Sequence, residues 1–500
     1  MLSKSKFILG QQCHKSLWLK LNDYEETNPI DESAEDRLKA GNDVGEEAKK
    51  LFPAGVNIEF YGGDYQKMCD LTQEAIAKDA DAIYEASFIE DNIFIRVDIM
   101  NKTPSGWDIY EVKSSSALKD YHKEDLSLQW YVLNKVKNLE LNKAHVVTIN
   151  NEYVKDGDID PKEIFKLHDL TDEVLLKQPE IEKESRLLKL VASSKDVPKI
   201  NIGPHCKAPH GCVYVDSCWP KNSKDNDSIF TLYRMRLNKK IDLYNQGIDT
   251  FKKIESTSKF NLTQQNQIKS YRLNEPVIDK VKIKEFINTI EYPLSYFDFE
   301  TFTDAIPSFN GQRPHMQMPF QYSLHIQENE NTELKNIRKT HKDFIADHNK
   351  DPRRDIAESM LINFPLKGSI MAFNQSFEKN CIKSLAEHCP DLAKGLLDLN
   401  NRFVDLIDPF REGGYYHSSF KGSFSLKNVL PAMCSNDSDL DYKKLEIGNG
   451  ALASSAYKHL RDSSEEEIEQ TRKNLSNYCW TDTYAMVAIY NRLLTLVGKI

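Results

Sequence analysis

The sequence predicts an α/β protein built from more than one domain, and three observations carry that reading. The chain has 500 residues, more than one hydrophobic core ordinarily organises, so two or three domains are expected. Short runs of strand character alternate with segments of helical spacing in both halves of the chain. Hydrophobic residues make up 40% and charged residues 28%, the balance of a globular chain in water.

The formal charge of −10 excludes a uniformly basic coat and leaves room for a local basic groove. No apolar run approaches membrane-spanning length, so no membrane partner is expected. Met1 to Gly10 offers only Phe7-Ile8-Leu9 as an apolar patch, too short for a signal-peptide core. The expectation is a cytoplasmic protein whose nine cysteines stay reduced. Cys69, Cys381, Cys389, Cys434 and Cys479 sit in ordinary segments and read as packing residues.

Residues 1–225 read as the first domain. Asp31 to Phe52 has helical character and stops at Pro53. Ala82 to Ile89, Asn92 to Met100 and Trp107 to Lys113 read as strands, with Pro104-Ser105-Gly106 turning the chain between the last two. Asp125 to Lys137 reads as a helix and Ala144 to Asn150 as a strand. On a strand, residues two apart share a face, so Glu111 and Lys113 project together. Asp98 is the acid of the preceding strand. Two carboxylates and a lysine on neighbouring strands suit a divalent cation and a phosphate. They equally suit a cross-strand ion pair on a solvated sheet face.

Residues 226–285 read as a helical connector, with helical apolar spacing over Asp227 to Lys253, a polar loop over Ser256 to Asn266, and a further helix over Gln267 to Thr289. The second domain, 286–500, opens on Ser295-Tyr296-Phe297-Asp298-Phe299-Glu300-Thr301-Phe302. Its period of two makes a strand on which Asp298 and Glu300 face one way, with aromatics on the other side. Paired carboxylates beside apolar walls repel and desolvate poorly, and a divalent cation relieves both. Pro319 to His325 reads as the hairpin partner, and the intervening loop with Pro307, Gly311 and Pro314 is expected beside the acidic pair. Ser369 to Asn374 reads as a strand feeding a helix near Ser376, which carries Glu378 in its first turn. Asp405 reads as a local cap, with a substitute metal ligand as the alternative. Tyr478 and Asp482 are four apart and share one face of the last helix. Gly422 to Pro431 and Ile447 to Gly450 read as loops near the acids, with Lys421 and Lys427 in reach of phosphates.

Two resemblances follow from these residues. Asp98, Glu111-Val112-Lys113 and Gln129-Trp130-Tyr131 resemble the PD-(D/E)XK nuclease superfamily, and within it the RecB-like and CRISPR-adaptation exonucleases. That resemblance implies Asp98 and Glu111 as metal ligands, with Lys113 and Gln129 at the catalytic centre. It also implies a 4Fe–4S cluster on one early and three late cysteines, here Cys13, Cys206, Cys212 and Cys218. A structural zinc ion held by the cysteines with His205 or His210 is the competing reading. The chain departs from the pattern in the five-residue gap from Cys206 to Cys212, where two is usual, and in Gly45, where many members carry a metal-binding histidine.

Asp298, Glu300, Glu378, Tyr478 and Asp482 resemble the motifs of the DEDD exonucleases in their tyrosine form, which implies an RNase H-like fold. Glu378 stands where most members have Asp. The resemblance implies that Asp298, Glu300, Glu378 and Asp482 hold two Mg2+ or Mn2+ ions while Tyr478 orients the attacking water. Together the two halves resemble a bacterial family of fused nuclease-like proteins. The implied function is 3′→5′ degradation of nucleic acid, DNA before RNA and single strands or ends in particular, in repair, recombination or anti-phage defence. The alternatives are an RNA exonuclease and a catalytically degenerate nucleic-acid-binding module.

Overall fold

The computed structural model describes residues 1–26, 34–434 and 440–500. The chain forms two compact units of mixed α/β structure. The first comprises Met1–Trp219 with Asp304–Met316, and the second Pro220–Thr303 with Gln317–Ile500. No helix among the described residues is long and apolar enough to cross a membrane.

The first unit is built on one sheet. The strands Ala82–Glu90, Ile93–Thr103 and Gly106–Lys113 form an antiparallel meander. Leu141–Ile149 then pairs parallel with Gly106–Lys113, and Phe165–Asp169 closes the edge antiparallel. The parallel step is spanned by the helix Asp120–Leu133, as a crossover requires. Apolar residues on the two sheet faces enter two cores. One gathers Phe7, Leu17, Ile95, Leu126, Val146 and Ile181, and the other Val44, Tyr84, Ile99, Tyr110, Val147 and Phe165. The expected helix over Asp31 to Phe52 is seen as Ala34–Lys49, while Asp31, Glu32 and Ser33 lie outside the described residues. A side chain at Gly45 would meet nothing within 4 Å.

The Pro/Gly loop expected beside Asp298 and Glu300 belongs to the first unit instead. Gly311 N donates to Lys155 O (2.7 Å), Lys155 N donates to Gln312 O (3.1 Å), and Ala305 packs in the core with Tyr110 and Val147. Backbone pairing and apolar burial there account for its placement.

The second unit has a five-stranded sheet in the order Lys342–Ile345, Met318–Gln327, Leu294–Phe302, Ile370–Ala372, Phe403–Asp405. The first three strands are antiparallel and the last three parallel. Phe297 and Phe299 enter one core with Ile356, Ile382 and Leu396. Leu294 and Tyr296, from the opposite face, enter another core with Tyr484, Val487 and Tyr490 of the long helix Glu465–Val497. That helix starts on a capping box between Ser464 and Glu467.

The connector is not a separate body. Ile229, Leu232, Phe251, Ile254 and Ile268 make a small core, and Ile283 and Phe286 join the core of the long helix. The helix expected over Asp227 to Lys253 shrinks to Leu237–Asn245. Arg234 has φ +46°, a left-handed backbone that ends any helix passing through it. The helix Leu262–Leu273 begins inside the expected loop, on an Asn261–Gln264 capping box.

Candidate active site

The site in the second unit is set by how the long helix is pinned to the hairpin. Gln321 Nε2 donates to Leu475 O (2.9 Å), Ser323 Oγ meets Thr483 Oγ1 (2.7 Å), and His325 Nδ1 meets the same hydroxyl (2.9 Å). In the hairpin, Gln321 is opposite Glu300 and Ser323 opposite Asp298. The polar pins therefore fix the turns bearing Tyr478 and Asp482 against the strand bearing the acidic pair. Burial pushes His325 down to about 3, so it bonds as a neutral imidazole.

Asp298, Glu300, Tyr478 and Asp482 line one cavity of about 820 Å³, together with Phe299, Phe373, Phe377, Phe424 and Lys427. Burial, with the charges of Asp482, Glu300 and Glu378, holds Asp298 well above the usual carboxylate range. Burial and Asp482 do the same to Glu300, against the pull of Lys427. Asp482 is pushed up to about 6 by burial, opposed by hydrogen bonds from Tyr442 and Tyr478. Burial and the surrounding carboxylates raise the Tyr478 phenol, which keeps its proton. Lys427 Nζ stands 5.8 Å from the Tyr478 ring and 5.4 Å from the Tyr442 ring.

Glu378 is 3% exposed and is not among the residues lining the cavity. Its Oε2 is buried and has no hydrogen-bond partner. Burial, followed by Asp405, pushes it up to about 8. An orphaned carboxylate oxygen beside raised carboxylates is the arrangement a cation completes. Asp405 instead accepts from Asn374 N (2.8 Å), Gln375 N (3.1 Å) and Ile407 N (3.2 Å), which makes it the cap of the turn before Glu378. Asn374 needs that support, since its φ is +76°.

Two residues of this site were not singled out by the sequence. Cys479, read as packing, places its Sγ with carboxylate oxygens of Asp298 and Glu300 inside 4.8 Å, the one such three-ligand group among the described residues. Tyr442 donates its hydroxyl to Asp482 Oδ1. Cys479 stands three residues before Asp482 on the same helix, so the helical register was a signal for it. Tyr442 lies 40 residues from Asp482 with no periodic relation to it.

The family described as "Domain of unknown function (DUF2779)" matches residues 295–425, a span holding Asp298, Glu300 and Glu378 but not Tyr478 or Asp482. Similar proteins include "Uncharacterized protein UU173" of Ureaplasma parvum, 27% identical over 51% of this chain and 37% of that protein. "Uncharacterized protein MG366 homolog" of Mycoplasma pneumoniae is 26% identical over 53% of this chain and 42% of its own length. "Uncharacterized protein MG366" of Mycoplasma genitalium is 25% identical over 44% and 34%. Each match thus spans less than half of the relative. No solved structure matches.

The first unit brings Glu111, Lys113 and Gln129 together as the sequence reading expected, and adds two residues that reading did not assign to the site, Lys4 and Asp125. Lys113 Nζ meets Glu111 Oε1 (2.6 Å) and Asp125 Oδ2 (2.5 Å). Gln129 Nε2 donates to Glu111 Oε2 (2.5 Å). Lys4 Nζ lies 3.0 Å from Glu111 Oε1 and 3.3 Å from Asp125 Oδ1. Despite its burial, Glu111 sits well below the usual carboxylate range because Lys113 and Lys4 flank it. Asp98 is pushed up to about 7 by burial and then by Glu111, and its Oδ2 accepts from Val112 N (2.6 Å).

Cys13, Cys206, Cys212 and Cys218 line one cavity of the first unit with Ser16, His205 and Tyr214. All four are free thiols. Cys212 N donates to Cys206 O (3.1 Å), closing the loop across the five-residue gap. Gln12 Nε2 donates to His205 O (2.6 Å) and His210 O (2.8 Å), tying the early cysteine's helix to the late loop.

Proposed function

We propose that the second unit is a metal-dependent exonuclease that trims a nucleic-acid strand from its 3′ end, with DNA as the first expected substrate. The observation that carries this reading is one cavity lined by Asp298, Glu300, Asp482 and Tyr478. These residues come from a strand and a helix about 180 positions apart in the chain.

The donors fit Mg2+ or Mn2+: Asp298, Glu300, Asp482 and the unpartnered Oε2 of Glu378 offer oxygen ligands, the kind both ions prefer. When bound, such ions would supply Lewis acidity to the attacking water and to the leaving 3′ oxygen. The chain's own groups do the rest. Tyr478 keeps its proton and orients a water by hydrogen bonding. Lys427 offsets charge on the phosphate, and Tyr442 holds Asp482 in place.

In the first unit the four thiols of one cavity fit an iron–sulfur cluster, which would tie residue 13 to the 206–218 loop. A zinc ion held by the same thiols with His205 or His210 is the competing reading. A binding rather than cutting role for this unit is favoured by Lys4, whose ammonium sits on Glu111 where a cation would be required.

The test is to incubate the protein with end-labelled strands and Mg2+ or Mn2+, beside Asp298→Ala and Lys113→Ala. Activity lost in Asp298→Ala and kept in Lys113→Ala is the expected result. Undiminished cutting by Asp298→Ala would sink the assignment. Matched DNA and RNA strands in the same assay separate the two substrates.

A further inference from the structure

The connector contributes to the cavity, and nothing in its sequence pattern announced that. We propose that Tyr233 and Arg234 form a binding subsite for an unpaired strand end, with Tyr233 stacking a base and Arg234 holding a backbone phosphate. The proposal rests on the nucleolytic reading of the cavity and assigns what that cavity accepts.

The segment is held firmly. Gln267 Oε1 accepts from Tyr233 N (3.0 Å), Gln264 Nε2 donates to Tyr233 O (2.8 Å), and Gln267 Nε2 donates to Thr231 O (2.9 Å). Both glutamines are buried on the helix Leu262–Leu273. On the other side Gly422 packs so close that an added Cβ would lie 1.8 Å from Thr231 O. These contacts bring Tyr233 to 4.9 Å from Phe424, ring centre to ring centre, on the wall that also carries Lys427.

The backbone then does something that a mere spacer does not need. Arg234 takes φ +46°, a left-handed backbone that strains an L-residue. The result is an exposed guanidinium lining the cavity, 5.4 Å from the Tyr233 ring and in no ion pair among the described residues. Arg411 lines the same cavity and donates to Asn374 Oδ1 (3.1 Å). The floor is therefore acidic and the wall is cationic and aromatic.

That division matches a nucleotide chain. The acids suit cations on the phosphate being cut, and the wall suits the next phosphate and a base. Stacking needs an exposed base face, which an unpaired end offers and an interior base pair does not. It reads no base edges, so the preference is for strandedness and not for sequence.

The experiment measures binding without cutting. A short fluorescent DNA strand and its blunt duplex are titrated with the full chain in EDTA, over a range of salt. Tyr233→Ala should weaken strand binding about tenfold, the loss of one stacked base, while Tyr233→Phe binds like the parent. Arg234→Gly removes the guanidinium while suiting the left-handed backbone, and should lower the salt slope by about one. Duplex binding should change little in either. Parent-like strand affinity and salt slope in both variants would overturn the proposal. If those variants weaken binding but the parent cuts nothing with Mg2+ or Mn2+, the subsite stands and the nuclease reading falls. If the parent cuts and the variants bind as it does, the reverse holds.

Discussion

Lys4 Nζ stands 3.0 Å from Glu111 Oε1, so the first helix of the chain brings an ammonium to the carboxylate that the family resemblance implies as a metal ligand. With Lys113 at 2.6 Å and Gln129 donating as well, Glu111 has its charge neutralised by the protein itself. A divalent cation at this place must displace Lys4.

Replacing Lys4 by Ala should therefore have two effects. It leaves Glu111 and Asp125 under-compensated and destabilises the protein by about 1–3 kcal/mol, the cost of removing one partner from a part-buried charged hydrogen bond. It also opens the carboxylates to a cation. In an Asp298→Ala background, Mn2+ should raise the melting temperature of the Lys4→Ala variant more than that of its Lys4 parent. An equal Mn2+ response in both would remove Lys4 from this role.

The contrast between Lys4 and Asp298 shows what a linear sequence discloses. Asp298 and Glu300 were legible because a strand alternates, and Phe297 and Phe299 do bury on the other face. Tyr478 and Asp482 were legible because a helix repeats, and both line the cavity. The strands that the sequence predicted are found to within a few residues, whereas the short edge strands Phe165–Asp169, Lys342–Ile345 and Phe403–Asp405 were not anticipated. Lys4, Asp125, Tyr442 and Tyr233 were not legible, because each reaches its site by tertiary packing and carries no periodic mark. The helix expected over Asp227 to Lys253 was drawn too long for a related reason. Apolar spacing cannot reveal that Arg234 leaves the right-handed region. Nor does the loop at 304–316 disclose its pairing with Lys155.

Tyr442 illustrates the hidden kind. Its hydroxyl donates to Asp482 Oδ1, a bond to a charged acceptor. Such bonds contribute about 1.5–3 kcal/mol. Tyr442→Phe keeps the ring and removes the bond, so Asp482 should lose orientation and cation affinity should fall about tenfold or more, with the fold intact. Mn2+ titration followed by calorimetry measures this. Unchanged affinity would make Tyr442 a packing residue.

Gly422 is the joint between the connector and the cavity wall. Its φ is +69°, and an added Cβ would strike Thr231 O at 1.8 Å. A backbone carbonyl fixed by Gln267 cannot yield easily. Gly422→Ala should destabilise the protein by about 1–3 kcal/mol. It should also reduce cutting more than Gly498→Ala, whose added Cβ meets nothing within 4 Å. Comparing melting temperature and initial rates of the two variants tests this, and equal rates would contradict it.

The acidic floor makes a prediction about pH. Unfolded carboxylates titrate near 4, whereas Glu378 is pushed up to about 8 and Asp482 to about 6. Between those values the folded, metal-free chain binds more protons than the unfolded chain. Stability must then fall as pH rises through that window, the reverse of an ordinary paired carboxylate. A divalent cation favours the deprotonated forms, so its stabilising effect should grow over the same window and its binding should release protons. Melting curves at about pH 6 and about pH 8, with EDTA and with Mn2+, read the first effect. Calorimetric titration in two buffers of different ionisation enthalpy reads the second. A cation-induced shift in melting temperature that is the same at both pH values, with no proton release, would mean that these carboxylates do not bind the ion.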